Sequence, residues 1–220
     1  LDIGPGSDVT LVVDGAGSTV SATGTTPWGV GGSANVTFRN QAVGNFDNIQ
    51  MAISPTDPDI VDVTIETVAA VKANNIDVAA FDAAATGTIT VTGTGSTLTQ
   101  AGASELVVGS NLGTGSGTID IESGGTLTTG TGTTTIHATG RVNVGIVGDG
   151  TFNANGPVVV YGGRLNAFTS SEDPDRFNLA AGQTVTASGS TGRVSIVGPY
   201  NLTRGTTFEF NTGAEFSVGL

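Results

Sequence analysis

Apolar residues recur at alternate positions along the whole chain, as Val9/Leu11/Val13, Val36/Phe38, Val61/Val63/Ile65, Ile89/Val91, Leu106/Val108, Ile119/Ile121, Val142/Val144, Val158/Val160, Phe177/Leu179, Val194/Ile196, Phe208/Phe210 and Phe216/Val218. A period of two places such side chains on one face of a strand. The predicted strands are short, with Gly, Asn, Ser or Asp interrupting them at intervals of roughly 8 to 15 residues.

Two all-β architectures fit many short strands. A sandwich or jelly roll would use hairpin dipeptides such as Asp14-Gly15, Asp149-Gly150 and Asn155-Gly156. Self-similarity favours a solenoid. Gly87-Thr88-Ile89-Thr90-Val91 recurs as Gly117-Thr118-Ile119-Asp120-Ile121, and each copy runs on into a second strand, Thr97-Leu98-Thr99 or Thr126-Leu127-Thr128. Repeats of ~20–30 residues are what stacked coils produce, because one coil cannot bury its apolar face alone. The pattern predicts an all-β, right-handed parallel β-helix (β-solenoid), one domain over residues 1–220. On the order of eight to ten rungs, ~4.8 Å apart, would make a rod ~40–50 Å tall. Stacked inward Val, Ile, Leu and Phe would supply its stability, at roughly 2 kcal/mol for each large side chain fully buried.

Residues 46–85 depart from the pattern, being poor in glycine and rich in alanine and acid, with a break at Asp57-Pro58-Asp59. They predict an irregular or longer rung, a strand over Val61/Val63/Ile65 and then one helical turn, with regular repeats from about 87. A polar run from Thr169 to Arg176 predicts a second excursion.

Composition narrows the class. Glycine contributes 35 residues without a three-residue period, which excludes collagen, and 37% apolar with only 12% charged residues is a folded composition. The net charge of −12 argues against nucleic acid and against anionic lipid surfaces. Cysteine is absent, so disulfide, thiol and thiolate-zinc chemistry are not expected. No apolar run is long enough for a membrane helix, so direct membrane insertion is not expected. The start Leu1-Asp2-Ile3-Gly4 suggests a processed product or an excised piece.

The stretch Gly95-Ser96-Thr97-Leu98-Thr99, then Leu106-Val107-Val108-Gly109, then Gly113-Thr114-Gly115-Ser116-Gly117-Thr118-Ile119-Asp120-Ile121, then Gly124-Gly125-Thr126-Leu127, resembles the passenger-associated repeat of bacterial autotransporter and related surface proteins. Weaker echoes follow at Gly140-Arg141-Val142-Asn143-Val144-Gly145 and at Gly189-Ser190-Thr191-Gly192-Arg193-Val194. The resemblance implies an exported, displayed parallel β-helix, often an adhesin or biofilm component, with any hydrolase or protease activity carried in added domains or loops. Phe208/Phe210 and Phe216/Val218 are too few strands for that family's membrane barrel.

Candidate chemistry is sparse. His137 is the single histidine and follows Ile136 on the outward side of a strand, which suits a surface residue better than a catalytic base. Asp120 and Glu122 share an outward face and are weak candidates for a glycosidase pair, which needs carboxyl groups roughly 5–9 Å apart. Arg141, Arg164 and Arg193 could supply a lyase-like base; as strand-start residues they read first as partners of local acids. Asp57, Asp59 and Asp62, and Glu172, Asp173 and Asp175, are weak candidates for a calcium site. No cofactor is expected beyond that calcium. Trp28 is a cap on the open core or an exposed binding anchor.

These readings lead to an expectation: a non-enzymatic structural or adhesive segment of an extracellular bacterial surface, fibre or biofilm-matrix protein. Its partners would be further copies of itself, end to end or laterally, and cell-surface or matrix glycans. The alternative is a glycan-binding module or a polysaccharide-degrading β-helix enzyme.

Overall fold

The computed structural model describes residues 8–52, 59–80, 84–170, 173–201, 203–211 and 213–219. Among these there is no helix. The chain forms β1 (Val9–Asp14), β2 (Thr19–Trp28), β3 (Ala34–Arg39), β4 (Val43–Met51), β5 (Ile60–Ile65), β6 (Ala70–Val78), β7 (Thr86–Thr92), β8 (Thr97–Gln100), β9 (Leu106–Val108), β10 (Ser116–Glu122) and β11 (Gly125–Thr129). There follow β12 (Thr134–His137), β13 (Gly140–Val144), β14 (Gly150–Ala154), β15 (Val158–Tyr161), β16 (Arg164–Phe168), β17 (Phe177–Leu179), β18 (Thr184–Ser188), β19 (Arg193–Val197), β20 (Thr207–Phe210) and β21 (Glu215–Gly219).

Every named strand pair is parallel and joins strands from successive coils, so the protein is a parallel β-solenoid of about 8 turns. One wall is a nine-stranded sheet in the order β1-β3-β5-β7-β10-β13-β16-β19-β21. The opposite wall starts with the long strands β2, β4 and β6. At β6 it divides: Ala70–Ala73 pair with β8 and Ile76–Val78 with β9. From there β8-β11-β14-β17 and β9-β12-β15-β18-β20 run as two strips, and the coil has three walls. The hairpin dipeptides of the sequence do not make hairpins. They lie where one wall turns into the next.

The ladder is in register, so equivalent side chains stand above one another. Leu11, Val36, Val63, Ile89, Ile119, Val142, Leu165, Val194 and Phe216 form one inward column. Val71, Leu98, Leu127, Phe152 and Phe177 form another on the facing wall. The interior members are almost wholly buried.

The alanine-rich stretch belongs to this ladder, because β5 and β6 pair in register with the coils on either side. The helical turn expected after Ile65 is absent. Thr67 (φ 54°) and Val68 (φ 67°) make a left-handed turn with Ala69 donating to the Glu66 carbonyl, and β6 follows at once. The same turn stands one rung earlier at Asn40 (φ 55°) and Gln41 (φ 68°). The corner imposes the positive φ, and a β-branched valine adopts it against its own preference. Of the expected break at Asp57-Pro58-Asp59, Asp57 and Pro58 lie outside the described residues.

Two features hold the corners. At Gly140 an added Cβ would run into the Val108 carbonyl oxygen of the preceding coil, so only glycine permits that approach. At the corner between the two strips, Gln100 points inward and is 1% exposed. Its Nε2 amide reaches the carbonyl oxygens of Asn74 (2.6 Å), Ser104 (2.9 Å) and Ala101 (3.0 Å), and its Oε1 accepts from the Gly130 N–H (2.9 Å). One side chain thus satisfies backbone groups on three coils that would otherwise be buried unpaired.

Replacing Gln100 by Leu will orphan those groups and lower stability by about 3 kcal/mol, read from urea unfolding. Thr134 supplies the contrast, since its hydroxyl is buried in an apolar column with no hydrogen-bond partner. Thr134→Val will therefore raise stability, by about 1 kcal/mol. A stabilised Gln100→Leu or a destabilised Thr134→Val would contradict this account.

Candidate functional site

Stacking decides what the outward columns can do. Asp120 and Glu122 project from β10 on one face, as a paired-carboxylate site requires, beside a shallow hollow of about 270 Å³ that also includes Asn143 and Ile146. Asp120 is already engaged. Its Oδ1 accepts from Asn143 Nδ2 (2.8 Å), and Asn143 Oδ1 accepts from Asn166 Nδ2 (2.8 Å). Asp120 is the foot of a polar ladder running up the wall, continued by the Ser195–Ser217 hydroxyl pair (3.0 Å).

Among the described residues, the acids of the two clusters take separate partners or face solvent. Asp57 and Glu172 lie outside the described residues. Asp59 is buried and accepts from the Gly31 N–H (2.9 Å), whereas Asp62 projects outward from β5 into solvent. Asp173 pairs with Arg176 (3.5 Å), and Asp175 accepts from Asn201 Nδ2 (3.1 Å). Arg176 is nearly buried; it donates to the carbonyls of Gly148 (3.2 Å) and Phe168 (2.8 Å) and pairs with Asp149. It therefore pins the second excursion to the coil below. Among the described residues no three His, Asp or Glu side chains are grouped so as to hold a metal ion.

Trp28 is fully buried at the end of β2, edge-on to Phe46 with ring centroids 5.4 Å apart, and Phe46 packs edge-on to Phe38. The ring belongs to the core between the first coils, and none of it is presented as a surface anchor.

His137 sits in a pocket that its sequence position did not reveal. Its ring is half-buried, edge-on to Tyr161 at 6.3 Å, and lines an open hollow of about 450 Å³ with Asn75, Asp77, Glu105, Asn111 and Leu112. Three coils contribute: β6 brings Asp77, the loop before β9 brings Glu105, and β12 brings His137. Asp77 is 4% exposed, and Asn75 Nδ2 (2.8 Å) and Gln50 Nε2 (3.3 Å) both donate to its Oδ2. Burial pushes its carboxyl above the usual range; the two amide donors oppose that rise and the nearby Glu105 adds to it. Burial also holds the His137 imidazole below its ordinary value, with Glu105 opposing. A carboxyl that keeps its proton unusually long, a second carboxylate and a neutral imidazole can together exchange protons with a polar ligand.

The arginines form a third constellation. Arg141, Arg164 and Arg193 occupy the same outward position on the consecutive strands β13, β16 and β19. Only Arg193 has found a local acid, Glu215 on the next rung. Arg141 and Arg164 are exposed and make no hydrogen bond or ion pair with the described residues. The expectation that all three serve local acids therefore holds for one. Heads at the ~4.8 Å rung spacing would repel by about 1 kcal/mol per neighbouring pair even in water, so they splay or await counter-charge.

Comparison with protein-family models, with curated proteins and with solved structures found no match to this chain. The site must therefore be read from its own residues. The repeated Gly-Arg at 140, 163 and 192 was the available signal for the arginine column. Nothing in the sequence signalled that Asp77, Glu105 and His137 meet.

The raised Asp77 pKa has a definite sign. Protonation of a group whose folded pKa exceeds its ordinary 3.8 favours the fold fully below that ordinary value, and the benefit is lost as pH rises through the folded pKa. At neutral pH the fold carries the cost of a buried charge. Asp77→Asn keeps an oxygen for both amide donors and removes the charge. It will melt higher than the parent at pH 7, and the gap will close as pH falls through the carboxylate range. A lower melting temperature at pH 7 would refute the assignment.

Proposed function

We propose that this chain is a structural, adhesive segment of an extracellular bacterial surface, fibre or matrix protein. The observation that carries the reading is the unbroken ladder: nine strands stack in register along one wall, and most described side chains build either the core or a polar, small-residue exterior. Such a rod holds a long surface rigid at the cost of few residues per unit length. Its resemblance to the passenger-associated repeat, carried by residues 95–127, supports the same reading. Those residues form β8 to β10, the start of β11 and the turns between them. The last rung leaves Phe210, Phe216 and Val218 partly exposed beside the open strands β20 and β21, an apolar platform on which another β-coil can stack.

Brief protease treatment of intact producing cells tests the location. Peptides of this chain will be released without lysis, and their recovery only from broken cells would overturn the proposal. Sedimentation over a concentration series tests the stacking: the parent chain will associate and Phe216→Asp will not. Equal behaviour of the two would remove end-on assembly from the account.

A second reading, a polysaccharide-cleaving enzyme, is favoured by the pocket of Asp77, Glu105 and His137. Under it, new reducing ends will accumulate from an acidic or neutral polysaccharide, and Asp77→Asn will abolish them while remaining folded. Activity retained by that variant would exclude Asp77 as the acid.

A further inference from the structure

We infer that the column Arg141–Arg164–Arg193 is a binding site for an acidic polysaccharide, a glycan bearing a carboxylate on each sugar, laid along the rod axis. On the earlier rungs the same outward position holds Thr10, Asn35, Asp62, Thr88 and Thr118, and arginine takes it over for three consecutive rungs. The fold accepts a small hydroxyl there, so it does not require arginine. The whole chain has 7 lysines and arginines against 19 acids. Placing three of those cations in one column runs against their mutual repulsion. A ligand that brings regularly spaced negative charge removes that conflict.

The wall beside the column is shaped to receive a chain. Gly140, Gly163 and Gly192, at buried positions, each precede an arginine, and a Cβ at any of them would strike a backbone carbonyl of the neighbouring wall, so the walls approach closely at this corner. Beside it lies an open groove of about 480 Å³ lined by Arg141, Arg164, Thr118, Thr139 and Thr191. Arg164 and Thr191 also line the next hollow, of about 170 Å³, which ends at Arg193 and Glu215. The two run together along the axis.

The chemistry selects among polyanions. A guanidinium offers a planar two-donor fork that matches a carboxylate. The rung spacing of ~4.8 Å is close to the advance of one sugar in an extended glycan, so successive arginines can meet successive sugars. Nucleic acid fits poorly, because the groove lining holds no aromatic ring on which a base could stack, and the remaining surface repels dense phosphate. Glu215 closes one end by occupying Arg193.

The three arginines lie on the side wall, although Glu215 shares β21 with Phe216, and failure of the site would leave the structural reading untouched. Titration of the intact chain with a short alginate oligosaccharide, followed by calorimetry at low salt, tests it. The parent will bind, and binding will weaken as added salt screens the charges. Arg164→Gln will weaken binding by roughly tenfold or more, and Arg141→Thr, which restores the residue type of the rung below, will do the same. Arg39→Gln makes the same charge change at a residue paired with Asp14 and will leave binding unaltered. Glu215→Gln will tighten binding by freeing Arg193, which a merely structural role for the column would not do. Absence of alginate binding, equal binding of a neutral cello-oligosaccharide, equal or tighter binding of single-stranded oligothymidylate, or equal losses in Arg164→Gln and Arg39→Gln would each overturn the inference. Thermal melts of every variant identify any that fail to fold; should Arg164→Gln fail, Arg141→Thr and Glu215→Gln decide.

Discussion

In-register parallel pairing between successive coils is the constraint on which the rest depends. Each strand hydrogen-bonds to its equivalent one turn away, so each side chain is fixed above and below its counterparts. Inward positions must then be apolar on every rung, or the column carries an uncompensated defect. The columns through Ile89 and Leu98 meet that demand, and the unpartnered hydroxyls of Thr26, Thr129 and Thr134 mark where it is met imperfectly.

The corners are the costly part of such a fold. A chain that turns about eight times must repeatedly pack backbone against backbone without leaving amides and carbonyls unpaired. The protein meets this in three ways: glycine where the walls touch, as at Gly140; left-handed turns even at Thr67 and Val68; and the Gln100 amide as an internal substitute for backbone partners. The third is a polar residue buried in the interior, tolerated because its donors and acceptor are all used.

The same stacking gives the exterior its functional character. A single polar residue on an isolated strand is unremarkable, but repeated on adjacent rungs it becomes a stripe. Asn143 and Asn166 make a hydrogen-bonded ladder on Asp120. Arginine on the neighbouring column cannot satisfy itself in this way, because guanidinium has donors only, and Arg141 and Arg164 have no partner among the described residues. The Asp77 pocket has another origin: side chains from three coils meet where the long strand β6 gives way to two shorter ones.

Most of the fold was legible in the amino-acid sequence. Alternation at period two and the paired Gly-Thr-Ile repeats are local properties, and they led to short strands, glycine corners and stacked coils. The expected helical turn after Ile65 failed because a helix would have broken the ladder that β5 and β6 continue. What the sequence could not decide was the register. Partners in one column lie between 22 and 30 residues apart, so no fixed count links one rung to the next. Only packing at the corners sets how much chain each turn consumes. For that reason the burial of Trp28, the inward turn of Gln100, the meeting of Asp77 with His137 and the alignment of three arginines are properties of the tertiary structure alone.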